Sequence, residues 1–164
     1  MAEQRELNPE TNKMDGMVEK IFIASAGGAD MEAVEEVEAQ AGCGLRGDRY
    51  SSRTGYWTGV DECQVTLIES EDLEQVRLQT GIRIANGEHR RNLVTRNVRL
   101  EELAGKRFQI GEAIFEFDRP RPPCNYIESL TEPGMTRALV RNGGICARVV
   151  RSGVIRTQDP IVVL

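Results

Sequence analysis

Histidine is nearly absent. The 164-residue chain holds one, His89. That excludes two- and three-histidine metal sites and an H-E-x-x-H protease helix, and leaves at most one Ser-His or Cys-His catalytic pair. Lysine is scarce, with three residues against 18 arginines, and aromatics make up only 5%. No apolar run approaches the ~18 residues of a membrane span, so no membrane partner is expected. The four cysteines, Cys43, Cys63, Cys124 and Cys146, are scattered and form no C-x-x-C. Structural zinc ligands usually come in close pairs, so no zinc is expected. There is no G-x-x-x-x-G-K-[ST] loop. Gly42, Gly44 and Gly47 match the G-x-G-x-x-G spacing but lead into Asp48-Arg49-Tyr50, which opens no convincing helix. They read as turn residues, with Asp48 bonding nearby amides. A net charge of -5 argues against a nucleic-acid partner.

The remaining composition, 40% hydrophobic and 29% charged, is that of a globular chain. The expected organisation is a disordered polar leader over residues 1–16 and a single domain over 17–164. The leader has no apolar core of a signal peptide, so a cytoplasmic location with reduced thiols is the default. Strands are expected at Val18–Ser25, Gln64–Glu69, Arg107–Ile110, Ala113–Phe117, Ile145–Arg151, Val154–Arg156 and Ile161–Leu164. Asn92–Thr95 reads as a short apolar segment. Met31, Val34 and Val37, three apart among acids, suggest a short acidic helix within Asp30–Gln40. A second helix should start at an Ser70 N-cap and stop at Gly81. A single turn is expected at Leu100–Gly105, and short helices at Cys124–Leu130 and Met135–Val140. The class is mainly β (α+β): about seven strands in a partly closed antiparallel β-barrel, with short peripheral helices.

Charge is unevenly spread. Six arginines lie between Arg77 and Arg99, against Glu88 alone. Arginine forks bind phosphate or carboxylate bidentately, although a solvated surface gives the same pattern. On extended backbone, only one of Arg90 and Arg91 would face a given pocket. Cys124 follows Arg119-Pro120-Arg121-Pro122-Pro123 and precedes a short helix. Positive charge and helix amides favour a thiolate, which can ligate a soft metal, carry a persulfide or act as a nucleophile. Cys63 and Cys146, among apolar neighbours, read as buried fillers. His89 is either a proton donor or a solvated loop residue. Trp57, with Tyr50 and Tyr56, covers a pocket or packs in the core.

Several segments, taken in order, resemble the MOSC domain, named for the C-terminal domain of molybdenum cofactor sulfurases. They are Gly44–Tyr50 (GLRGDRY), Gln64–Glu69 (QVTLIE), Arg90–Val94 (RRNLV), Leu103–Phe108 (LAGKRF) with Ile110-Gly111, Pro120–Cys124 (PRPPC), Gly143–Val149 (GGICARV) and Gly153–Arg156 (GVIR) with Asp159. Gln158 stands where the family pattern has glycine. The resemblance implies a β-rich barrel. It makes Cys124 the functional cysteine, as metal ligand and catalytic residue. It implies that Arg91 and Asn92 hold the anionic pterin of molybdenum cofactor, with Arg90, Arg121, Gly47, Asp48 and Arg49 beside the pocket. The implied activity is reduction of N-hydroxylated or N-oxygenated small molecules with an external reductase. The alternatives are a sulfur carrier bearing a persulfide on Cys124, loaded by a donor such as a cysteine desulfurase, and a binding module without chemistry. No pyridoxal-phosphate domain is attached, so the chain is not itself a complete sulfurase.

Overall fold

A computed structural model describes residues 16–164. The leader expected over 1–16 lies outside these residues except for Gly16, whose carbonyl accepts the Ile161 N–H at 2.7 Å. The described elements are β1 (Met17–Ile23), β2 (Glu32–Val34), β3 (Glu36–Gln40), β4 (Gly44–Leu45), α1 (Arg49–Ser52), β5 (Val65–Glu69), α2 (Ser70–Thr80), β6 (Leu93–Arg96), a 3-10 turn (Leu100–Leu103), β7 (Arg107–Ile110), β8 (Ala113–Pro120), α3 (Asn125–Leu130), α4 (Met135–Ala138), β9 (Ile145–Arg151), β10 (Gly153–Arg156) and β11 (Ile161–Val163). No helix among them is long and apolar enough to cross a membrane.

Eight strands form one sheet in the order β11-β7-β8-β9-β5-β6-β1-β2, and β10-β3-β4 form a second. The pairings are antiparallel except β5 with β6, whose parallel crossover is supplied by α2. All five residues of β5 are buried, as befits a strand covered on both faces. Its alternation sends Val65 and Leu67 to the large core with Phe108 and Phe115. Ile68 goes to a smaller core under α2, α3 and α4, with Leu73, Val76, Ile127 and Met135.

The class is therefore mainly β with short helices, as expected, but with eleven strands among the described residues rather than about seven. Among the described residues no sheet closes into a barrel. The β1 and β11 ends are joined only by the Met17–Pro160 bridge and main-chain bonds such as Val18 N–H to Asp159 O at 3.0 Å. The acidic helix expected within Asp30–Gln40 is instead β2 and β3. Val37 and Ala39 are buried at a period of two, opposite Ile155 and Gly153 of β10. Glu36 and Glu38 point outward to Arg156 and Arg46. Strand pairing overrides the three-residue spacing. Ser70 is not the N-cap of α2. Glu69, the last residue of β5, holds that place, and the Ser70 hydroxyl accepts from Arg96. Gly81 ends α2 at φ 70° as expected. Arg49–Ser52 does form one helical turn, because the Asp48 carboxylate caps it.

Gly144 precedes β9 at φ 82°, and a Cβ there would collide with the Leu67 carbonyl oxygen. Gly144→Ala should therefore cost at least about 3 kcal/mol in a urea titration. Gly105→Ala, at φ 73° in open space, should cost only about 1 kcal/mol. Gln158 adopts φ 73°, the left-handed backbone that a glycine takes without strain. Gln158→Gly should raise stability by about 1 kcal/mol in the same titration.

Candidate functional site

Three chain segments converge beside the ends of β1, β8 and β6. The first is anchored by Asp48, which is fully buried. Its Oδ1 accepts the Ala24 N–H at 3.0 Å and an Arg49 NH1 proton at 3.0 Å, and its Oδ2 accepts the Tyr50 N–H. Gly47, at φ 84°, turns the chain into that cap. Arg49 lies over the Tyr50 ring at 4.3 Å and donates to the Arg90 carbonyl at 2.9 Å. The second segment is the turn 87–92. Gly87, at φ 87°, leaves no room for a Cβ, which would stand 2.8 Å from the Met31 Cβ. Arg90 is left-handed, at φ 63°. The third segment is Arg121–Cys124, stiffened by Pro122 and Pro123, with Cys124 as the N-cap residue of α3.

These segments border a small, partly open cavity of about 50 Å³ lined by Arg49, Arg90, Arg91, Arg121 and Cys124. Both residues of the Arg90-Arg91 pair line it, contrary to the expectation from extended backbone. The left-handed turn at Arg90 cancels the alternation that would have sent them apart. Tyr56, Trp57 and Tyr126 line the remaining side. Tyr56 stacks on Tyr126 at 3.8 Å between centroids, with Trp57 edge-on at 4.9 Å. The aromatic segment thus covers a pocket rather than joining either core. Cys124 is half-buried, and its carbonyl accepts from Thr136 Oγ1 at 3.0 Å.

Not every expected site residue reaches the cavity. Asn92 is fully buried and engaged by the fold. Its Oδ1 accepts from Thr66 N–H and Oγ1 at 3.0 and 3.1 Å, and its Nδ2 donates to the Phe22 carbonyl at 3.1 Å. Gly47 and Asp48 also lie behind the lining. Arg91 both lines and builds the site. Its Nε donates to Gly143 O at 2.6 Å and one terminal nitrogen to Arg121 O at 3.2 Å, tying two loops together. Burial lowers its pKa to about 10, with Arg121 adding to the fall. Arg90 is likewise lowered by burial and then by Arg49. The cavity is therefore strongly cationic, and an anion would relieve it.

Sequence reading missed Asp61. Its carboxylate bridges Arg119 and Arg121, the latter at 3.0 Å, from a loop with no periodic signal. It also missed Tyr126, whose place two residues after Cys124 is the one available hint. His89 is neither a solvated loop residue nor a proton donor. It is completely buried, edge-on to Phe22 at 5.5 Å, and its Nδ1 accepts the Arg91 N–H at 2.9 Å. Its Nε2 has no hydrogen-bond partner among the described residues. Burial, then Arg91 and Lys20, lower its pKa to about 3, so the ring is neutral and fixes the turn that carries Arg91.

The sequence model of the MOSC domain matches residues 54–162. No curated protein matches the sequence significantly. Among solved structures, the YuaD protein from Bacillus subtilis aligns with a TM-score of 0.74 at 20% identity, over 92% of this chain and 96% of that one. YiiM from Geobacillus stearothermophilus gives 0.71 at 17%, over 91% and 75%. YiiM from Escherichia coli gives 0.61 at 20%, over 88% and 69%. At these identities the likeness is one of fold.

A histidine held neutral well below its unfolded pKa of about 6.5 favours the unfolded state as pH falls, because only the unfolded chain takes up that proton. The wild type should lose stability from about pH 6.5 down towards pH 3. His89→Gln, which can still accept from the Arg91 N–H, should show a shallower loss. Melting temperatures of both proteins across that range check this, and parallel curves would contradict it.

Proposed function

The chain belongs to the MOSC domain family, and from that membership and the cavity at Cys124 we propose that it binds molybdenum cofactor and reduces N-hydroxylated or other N-oxygenated small molecules with electrons from an external reductase. The observation that carries this reading is the meeting of one half-buried thiol with four guanidinium groups in a single cavity. The donor set fits the group. A soft, polarisable thiolate suits molybdenum, and planar cations suit a phosphate-bearing pterin.

In this reading Cys124 is the protein ligand to the metal. Arg49, Arg90, Arg91 and Arg121, which all line the cavity, would hold the anionic part. Asn92, Asp48 and Gly47 serve by holding those arginines in place. When bound, the cofactor supplies the two-electron chemistry. The cavity of about 50 Å³ is partly open to solvent, and Tyr56, Trp57 and Tyr126 would help to exclude water from the bound group. The reading places the protein in the cytoplasm, without nucleic-acid or membrane partners.

That same volume favours a second reading. A cavity of about 50 Å³ holds one extra sulfur atom in full. Cys124 would take the sulfane sulfur of a donor persulfide, such as that of a cysteine desulfurase, releasing the donor as a thiol. The arginines would stabilise the anionic persulfide.

Expression in cells that make molybdenum cofactor separates the two. Stoichiometric molybdenum and pterin in the wild type, lost in Cys124→Ser, are expected for the enzyme. Arg91→Ala would also loosen two loops, so Arg90→Ala is the cleaner test of the anion cradle and should lower pterin retention at unchanged melting temperature. Absence of metal and pterin from every form, with a gain of about 32 Da at Cys124, would replace the enzyme by the carrier.

A further inference from the structure

His89 has one hydrogen-bonding group that the fold does not use. Its Nδ1 accepts the Arg91 N–H, so the neutral ring carries its proton on Nε2. That Nε2 is buried and has no partner among the described residues. His89 also lines a cleft of about 470 Å³ that shares no lining residue with the Cys124 cavity. The two ring nitrogens point in widely divergent directions. With Nδ1 turned to Arg91, which lines the Cys124 cavity, Nε2 is directed at the cleft.

The cleft is walled by β1, β6, α2 and the segment 84–89. Its charges are balanced except at one point. Arg96 pairs with Glu19 at 2.8 Å and Arg77 with Glu74 at 2.6 Å. Glu71 accepts the Asn97 N–H and stands in the first turn of α2, where helix amides favour a negative charge. Lys20 has no carboxylate partner among the described residues. Its ammonium donates to the Ala85 carbonyl at 3.2 Å, and its side chain is exposed. Leu73, Ile84 and Val94 add apolar wall.

We propose that this cleft is a binding site for a short-chain aliphatic carboxylate, whose head accepts from His89 Nε2 and pairs with Lys20. The chain of the ligand lies along Leu73, Ile84 and Val94. An orphaned buried donor and an ammonium without a counter-charge both call for an anionic oxygen. A carboxylate supplies two oxygens, one for each. The apolar walls favour a hydrocarbon tail over a bare ion. Lys20 releases the Ala85 carbonyl to take the carboxylate, which opens the way to the buried ring. The site does not rest on the role given to Cys124. One ring nevertheless joins the two hollows, because its other nitrogen holds the Arg91 amide.

His89 is the sole histidine, so tag-free, nitrogen-15-labelled protein gives one imidazole signal set that needs no further assignment. It is titrated with hexanoate at neutral pH and constant ionic strength. Nε2 and its proton should shift saturably, while Nδ1 keeps the position of an unprotonated nitrogen. Lys20→Met, at an exposed position, should weaken the apparent affinity by about tenfold or more, as expected for loss of a bond to a charged group, at unchanged melting temperature. Hexanoate bound instead among the cavity arginines would reach the ring through Arg91. Arg90→Ala tells the two apart and should leave the titration unchanged. Hexylammonium, the same chain with the opposite charge, should produce no shift. A ring that does not respond to hexanoate, an equal response to hexylammonium, or a titration that survives Lys20→Met or is lost in Arg90→Ala would each overturn the proposal.

Discussion

The side-chain amide of Asn92 holds three strands in register, and the candidate site depends on it. It bonds Thr66 of β5 through its carbonyl oxygen and the Phe22 carbonyl of β1 through its nitrogen. Its own backbone N–H reaches the Thr66 hydroxyl at 2.9 Å, and its carbonyl accepts the Phe22 N–H at 2.7 Å. All of this happens where no water enters. Each bond is therefore costly to lose, because a broken partner would stay buried and unpaired. The node fixes where β6 begins. It therefore fixes where the turn before β6 must deliver its arginines.

From that node outward, the site is assembled from backbone irregularities. Gly87 and Arg90 are both left-handed, and His89 seals the turn by accepting the Arg91 N–H. The guanidinium of Arg91 then reaches across to the carbonyls of Gly143 and Arg121. It thereby sets the loop that carries Cys124 against the turn that carries Arg90. A buried cation satisfied mainly by neutral carbonyls keeps its charge at a cost, and the cavity inherits that positive potential. Asp61 offsets part of it at Arg121. The chain is acidic in total yet carries a concentrated cationic pocket, because its acids lie mostly on outer faces such as those of β3 and α2.

Much of this was legible in the sequence. The strands at Val18–Ser25, Gln64–Glu69 and Ile145–Arg151 showed themselves by apolar, β-rich composition, and Gly81 marked the end of α2. The grouping of arginines and the proline-framed Cys124 pointed to the pocket. The acidic stretch around Glu32–Glu38 misled, because its strands are defined by pairing, β2 with β1 and β3 with β10, the latter more than 100 residues away. His89 misled because a polar residue in an arginine-rich segment suggests a solvated loop. Nothing local indicates that Phe22 and Arg91 would enclose it.

The sequence by itself determined the class of structure, the excess of arginine over lysine, the single histidine and the thiol at the end of a stiff proline run. These are properties of composition and short-range pattern, which local sterics and periodicity express directly. Only the tertiary structure decided which residues touch. It turned Asn92 from a site residue into the bolt behind the site. It brought Arg90 and Arg91 to one side through a left-handed turn. Such contacts depend on strand register and on the path of loops, which follow from the packing of the whole core and not from any one segment.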